Sequence, residues 1–204
     1  MAELSLANRA LVLASGNPGK LRELTAMLGP LGWSVRPQSD WAVSEAVEDG
    51  LSFVENALIK ARHASKFTGL PALGDDSGLV VDALKGAPGI FSSRFAGVDA
   101  DDSANNHKLL SELEGVPQAA RSAHFYCVMV LVRQALDPAP LIATGKWEGE
   151  ITVTPSGRGG FGYDPLFWVP GQGCSSAELP AKTKNRLSHR GQALSRMMEQ
   201  MQSL

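Results

Sequence analysis

An α/β fold is what this 204-residue sequence predicts, and three stretches predict it. Ala10–Ala14 is a short apolar run that passes through the turn Ser15-Gly-Asn-Pro-Gly19 into Lys20–Leu28, whose spacing is helical and which Gly29-Pro30 stops. A second helical segment opens at Ser52-Phe-Val-Glu55 and closes at Gly69, just ahead of the strand-like Leu70-Pro-Ala-Leu73. Ala123–Val132 has the β-branched and aromatic content of a central strand.

The remaining elements follow in order. Trp33–Pro37 reads as a second short strand, and Asp40–Gly50 as an acidic connection. In the helix after Ser52, the apolar face runs through Phe53, Ala57, Ile59-Lys60-Ala61 and Ala64. Leu70–Leu73 leads into Gly74-Asp-Asp-Ser-Gly78, and Leu79–Leu84 leaves it as another strand, so two carboxylates are expected at a bend between apolar runs. Ala100–Leu113 is helical in spacing, and Leu141–Thr154 is expected to give two strands. Pro155–Gly173 is a shaped loop, dense in Gly and Pro but carrying Phe161, Tyr163, Phe167 and Trp168. Ser188 caps a last helix that reaches about Met201.

Bulk properties narrow the function. A hydrophobic fraction of 44% with 20% charged residues is that of a globular chain, read as one domain over residues 1–204. Lys+Arg 19 against Asp+Glu 21 leaves a net charge of -2, which provides no general field for nucleic acid or membrane phosphates, so a polyanion must be bound locally. Cys127 and Cys174 lack the spacing of a zinc or redox motif and read as reduced thiols. Met1–Arg9 and the short run after it do not make a signal segment or a membrane span, so a soluble, cytoplasmic protein is expected.

Four segments could carry chemistry. In Ser15–Lys20, a strand feeding a Gly-rich turn and a helix start directs backbone amides at an anion, and Lys20 adds a full charge. Ala14 and Leu21 break the Walker pattern, and an ordinary strand-to-helix turn is the alternative. Asp75-Asp76 with Ser77-Gly78 offers adjacent carboxylates for a hard divalent cation and a polarised water; Glu48 and Glu55 are further acidic candidates. Against these stand a plain Asp-Ser-Gly turn and, for Glu55, a helix cap.

Gly157-Arg-Gly-Gly-Phe-Gly162 matches a dinucleotide fingerprint by letters but runs into Asp164-Pro165 instead of a helix. It reads better as a loop that approaches a ligand closely, with Phe161 or Tyr163 offering a ring face, or packing inward. Lys182, Lys184, Arg186, His189 and Arg190 form a basic cluster around the start of the last helix, either a solvated face or a second anion site. Together the four segments supply the parts of a nucleotide site.

Ser15-Gly-Asn-Pro-Gly-Lys20, Phe53-Val-Glu-Asn-Ala57, Gly74-Asp-Asp-Ser-Gly78, Gly86-Ala-Pro-Gly89, Gly159-Gly-Phe-Gly-Tyr-Asp-Pro165 and Ser188-His-Arg-Gly191 together resemble the inosine/xanthosine triphosphate pyrophosphatase family over nearly the whole chain. The resemblance implies hydrolysis of deaminated purine nucleoside triphosphates, ITP, dITP and XTP, to monophosphate and pyrophosphate. It also implies an elongated mixed sheet with flanking helices, two lobes around a nucleotide cleft, and a homodimer.

By the same resemblance, Ser15, Gly16, Asn17, Pro18, Gly19 and Lys20 bind the phosphates, and Asp76 is general base and Mg²⁺ ligand, assisted by Glu48. Ser77 touches the substrate, Phe161, Gly162, Tyr163 and Asp164 line the nucleoside pocket with Phe161 on the base, and Lys184, His189 and Arg190 read the base edge. The family often carries two adjacent acids where this chain has Val47-Glu48. Two rival readings remain: a Maf-like nucleotide pyrophosphatase, and a non-catalytic nucleotide sensor or nucleic-acid module, which would have little use for Asp75-Asp76.

Overall fold

The computed structural model describes residues 9–202. Met1–Asn8, most of the segment read above as lacking a signal peptide, lie outside the described residues. Seven strands form one sheet in the order β2-β1-β3-β4-β5-β6-β7: β1 Ala10–Ala14, β2 Ser34–Pro37, β3 Ala72–Val81, β4 Ser122–Val132, β5 Leu141–Ile151, β6 Phe167–Val169 and β7 Cys174–Ser175. The sheet is mixed, since β1 runs parallel to β2 and β3 while β6 is antiparallel to β5 and β7. Among the described residues five α-helices accompany it: α1 Pro18–Leu28, α2 Phe53–Thr68, α3 Asp102–Glu112, α4 Ala181–Leu187 and α5 His189–Met201. No helix among the described residues is long and apolar enough to cross a membrane.

Contacts divide the chain into two compact units. The first comprises Met1–Asp76, Val128–Thr144 and Ala193–Leu204. Within it α2 has the expected ends: Ser52 accepts from the Glu55 amide, the Glu55 carboxylate accepts from the Ser52 hydroxyl at 2.6 Å and the Leu51 amide at 3.0 Å, and Gly69 closes the helix in the left-handed region. Glu55 is therefore occupied as a cap. Helix α2 lies so close to β3 that a Cβ on Gly74 would overlap the Ala57 carbonyl oxygen, which is why a glycine stands there. The buried stripe of α2 includes Ala57, Lys60, Ala61 and Ala64.

The second unit comprises Ser77–Cys127 and Gly145–Gln192. Its core gathers Leu79, Val81, Leu109, Leu113, Phe125, Trp147, Ile151, Tyr163, Leu166 and Phe167. Phe125 and Trp147 both pack on Phe167, with ring centres 4.5 and 5.2 Å away.

Two sequence expectations are corrected. Residues 74–78 do not bend: β3 is one strand of 10 residues through the acid pair, because buried neighbours on both sides keep it extended. Leu141–Ile151 is likewise a single strand instead of two. Ser188 caps the last helix as expected, its hydroxyl accepting from the Gly191 amide at 3.1 Å, and the basic run before it forms a helix of its own, α4.

Candidate active site

In the first unit the sequence turn before α1 takes a form different from the open anion cradle. Asn17 is the N-cap of α1, with Pro18 at the first helical position, and its Oδ1 accepts from the Gly19 and Lys20 amides at 2.8 and 3.1 Å. Ser15 Oγ accepts from the Asn17 amide at 3.1 Å. These three amides have side-chain acceptors within the turn itself. The Glu45 side chain occupies the space where Gly16 would carry a Cβ.

Continuity of β3 decides what the acid pair does. Successive strand residues face opposite sides, and the two aspartates accordingly have different cations. Asp75, fully buried, meets Lys20: Nζ lies 2.5 Å from its carboxylate and donates to its carbonyl oxygen at 3.1 Å. Asp76 Oδ1 accepts from Lys60 Nζ at 2.7 Å, and the same ammonium reaches Glu48 Oε2 at 3.2 Å. Glu48 is presented by a segment tied to α2, where the Gly50 amide donates to Asn56 Oδ1 at 2.9 Å and His63 Nε2 lies 2.9 Å from the Ser44 carbonyl oxygen.

Burial lifts the Asp76 carboxyl above its ordinary value, and the Lys60 ammonium only partly offsets it. Lys60 is itself held above the usual lysine value: burial works against its charge, but Asp76 and Glu48 outweigh burial. The second oxygen, Asp76 Oδ2, is buried and has no hydrogen-bond partner among the described residues. A buried carboxylate oxygen left in this state is costly unless something else engages it. Lys60 is the functional residue the sequence reading missed; its signal was a lysine on the apolar stripe of an amphipathic helix, where a charge is stable only beside acids.

In the second unit Asp164 is the organising group. Its carboxylate accepts from the Phe161 amide at 2.8 Å, from Ser176 Oγ at 2.8 Å and from Lys184 Nζ at 2.6 Å. Lys184 Nζ and the Arg190 guanidinium stand 5.1 and 5.7 Å from the centre of the Phe161 ring. Arg190, only 2% exposed, donates to Ser77 Oγ at 3.0 Å. His189 is stacked on Phe125 with ring centres 4.8 Å apart. Tyr163 is buried in the core, and its hydroxyl donates to the Ser92 carbonyl oxygen at 2.8 Å. Gly162 adopts φ +62, the left-handed region that glycine permits.

The structure thus brings together Lys20 with Asp75, and Asp76 with Glu48 and Lys60, in the first unit. In the second it gathers Phe161, Asp164, Lys184 and Arg190, with Ser77 beside Arg190 and His189 against Phe125.

A profile of the Ham1 family matches residues 11–200. A dITP/XTP pyrophosphatase of Photobacterium profundum is 55% identical over 187 residues, covering 92% of this chain and 95% of that protein. One of Xylella fastidiosa is 56% identical over 191 residues, covering 94% and 96%. Among solved structures, a HAM1 protein from Coxiella burnetii superposes with a TM-score of 0.88 at 50% identity, covering 96% of this chain and 99% of that one. The Staphylococcus aureus Ham1 protein does so with a TM-score of 0.83 at 34% identity, covering 95% and 98%. The chain belongs to the Ham1 family.

Proposed function

We propose that this protein hydrolyses deaminated purine nucleoside triphosphates, dITP, ITP and XTP, to the nucleoside monophosphate and pyrophosphate, so removing them from the nucleotide pool. Relatives more than half identical over nearly their whole length are dITP/XTP pyrophosphatases, which supports the substrate class. The geometric observation that carries the reading is Asp76: a buried carboxylate with a raised pKa, one oxygen on Lys60 and the other without a partner among the described residues. A carboxylate in this state is a stronger proton acceptor than an exposed one.

In the reaction, Asp76 accepts a proton from water as the water oxygen attacks the α-phosphorus. The bond from that phosphorus to the bridging oxygen of the β-phosphate breaks, and pyrophosphate leaves. Lys20 supplies positive charge to the phosphate tail, exchanging its contact with Asp75 for one with substrate. Ser15 to Gly19 shape the turn that receives the tail.

The donor set fits Mg²⁺, which on a triphosphate takes one or two protein carboxylates and completes its shell with phosphate and water oxygens. Asp76 Oδ2 and Glu48 would hold it, although among the described residues no group of three or more His, Cys, Asp or Glu side chains is assembled. When bound, the ion neutralises phosphate charge and polarises water.

Lys184 and Arg190 carry donors only. The hypoxanthine and xanthine 6-oxygen accepts from them, whereas the adenine 6-amino group would oppose donor to donor; such an unmade hydrogen bond discriminates by about several kcal/mol. Phe161 provides the ring face for the base. The working form under this reading is a homodimer, which sedimentation tests directly.

Pyrophosphate release from ITP, XTP, dITP, ATP, GTP and dTTP, with and without Mg²⁺, tests the reading. Metal-dependent release confined to the first three is expected; equal release from ATP, or binding without release, overturns it.

A further inference from the structure

The loop that carries Phe161 is held by a helix that has no assigned part in the reaction. Helix α3 begins at Asp102, but its cap is the preceding residue: Asp101 accepts from the Ala104 amide at 2.7 Å. The capping role is therefore filled without the Asp102 carboxylate. That carboxylate accepts from the Gly162 amide at 2.6 Å. One turn on, Asn106 Nδ2 donates to the Gly162 carbonyl oxygen at 2.9 Å and to the Asp102 carbonyl oxygen at 2.8 Å. Both polar groups of Gly162 are thus gripped by side chains of a single helical turn.

The other side of α3 is anchored just as specifically. Asn105 Oδ1 accepts from the Ala96 amide at 2.8 Å, Asn105 Nδ2 donates to the Ser93 carbonyl oxygen at 3.2 Å, and Lys108 Nζ donates to the Phe95 carbonyl oxygen at 2.7 Å. Tyr163, which follows Gly162, is tied to the neighbouring Ser92. A glycine at φ +62 loses more backbone freedom than any other residue when fixed, so the position requires external ties to stay ordered. Phe161 is held on the other flank, its amide on Asp164.

We propose that Asp102 and Asn106 are positioning residues for base recognition, a clamp on Gly162 that fixes the Phe161 ring beside Lys184 and Arg190. The inference rests on the proposed base-reading role of that ring. Neither residue touches substrate. Their loss lets the loop relax, weakening base binding while leaving the phosphate chemistry of the first unit intact.

The test measures kcat and KM for dITP and dATP on the purified full chain, alongside thermal unfolding. Asp102→Ala is expected to raise the KM for dITP about tenfold with kcat within about twofold, and to lower the dITP-over-dATP selectivity by about the same factor. Asn106→Ala should move both in the same direction by less, and it carries the test if Asp102→Ala does not fold. Asp102→Asn, which keeps an acceptor for the Gly162 amide, should restore selectivity to within about threefold of wild type.

Unchanged selectivity in both alanine variants of a selective wild-type enzyme overturns the clamp alone. So does a loss of kcat on both nucleotides in equal measure, the pattern of a merely structural role. A wild-type enzyme that treats dITP and dATP alike overturns the base-reading role and the clamp with it.

Discussion

Two charged clusters divide the molecule's chemistry, and they are built in opposite senses. In the first unit the acids are fixed on a strand and the cations come to them on long side chains: Lys20 to Asp75, Lys60 to Asp76 and Glu48. In the second unit one acid, Asp164, sits at the centre of three donors, and the cations stand beside an aromatic ring. The first arrangement leaves one carboxylate oxygen without a hydrogen-bond partner among the described residues. In the second the carboxylate is engaged on both oxygens. Under the proposed function, chemistry and recognition thus call for different amounts of satisfaction in the ground state.

The sharpest way to break this contrast is Asp76→Asn. If Asp76 is the proton acceptor, kcat for dITP falls by about a thousandfold while the protein stays folded, since an amide cannot take up the proton. Circular dichroism and pyrophosphate release read the two halves. Retained turnover in a folded variant removes Asp76 from its role.

Lys60→Met comes next, because it leaves Asp76 and Glu48 without their shared cation. Removing one partner from a buried pair costs about 3 kcal/mol or more, read by denaturant unfolding. A pH signature accompanies it. Asp76 must be ionised to accept a proton, so kcat/KM drops as pH falls through its folded-state value, which burial raises above the ordinary value of about 4. Lys60 lowers that value; without it the acid limb moves to higher pH. A limb that stays in place would mean that Lys60 does not tune Asp76.

Phe161→Ala probes the second cluster. Loss of a stacked base is worth about 1–3 kcal/mol, so KM for dITP rises about tenfold or more with kcat little changed. An unaltered KM would detach the ring from the base.

Much of this was legible in the residues. The caps of α2 announced themselves, since Ser52 and Glu55 stand at the spacing of a capping box and Gly69 at the end. The turn Ser15–Lys20 and the acid pair were also visible as candidates, though each also reads as an ordinary turn. Their geometry was not. That Asp75 and Asp76 face opposite sides depends on β3 running straight through them, and the glycine before them is required by the close approach of α2, a long-range fact. That Asn17 caps α1 in place of an anion depends on its rotamer. Lys60 was within reach: it sits seven residues after Phe53 and three after Ala57, on the stripe that must be buried. Asp102 and Asn106 were not, since their partner is a backbone group 60 and 56 residues away.

Tyr163 gives the smallest and most discriminating prediction, because the sequence allowed it either a ring face for the base or a place in the core. Its ring lies among the core residues of the second unit, and its hydroxyl is spent on the Ser92 carbonyl oxygen. Tyr163→Phe keeps the ring and leaves that buried oxygen without its donor, which costs about 1 kcal/mol and lowers the unfolding midpoint by about 2–4 °C in a chain of this size. With packing as its role, KM for dITP stays at the wild-type value, opposite to Phe161→Ala, so the boundary between core and pocket falls between two residues separated only by Gly162. A raised KM with unchanged stability would move Tyr163 to the ligand side of that boundary.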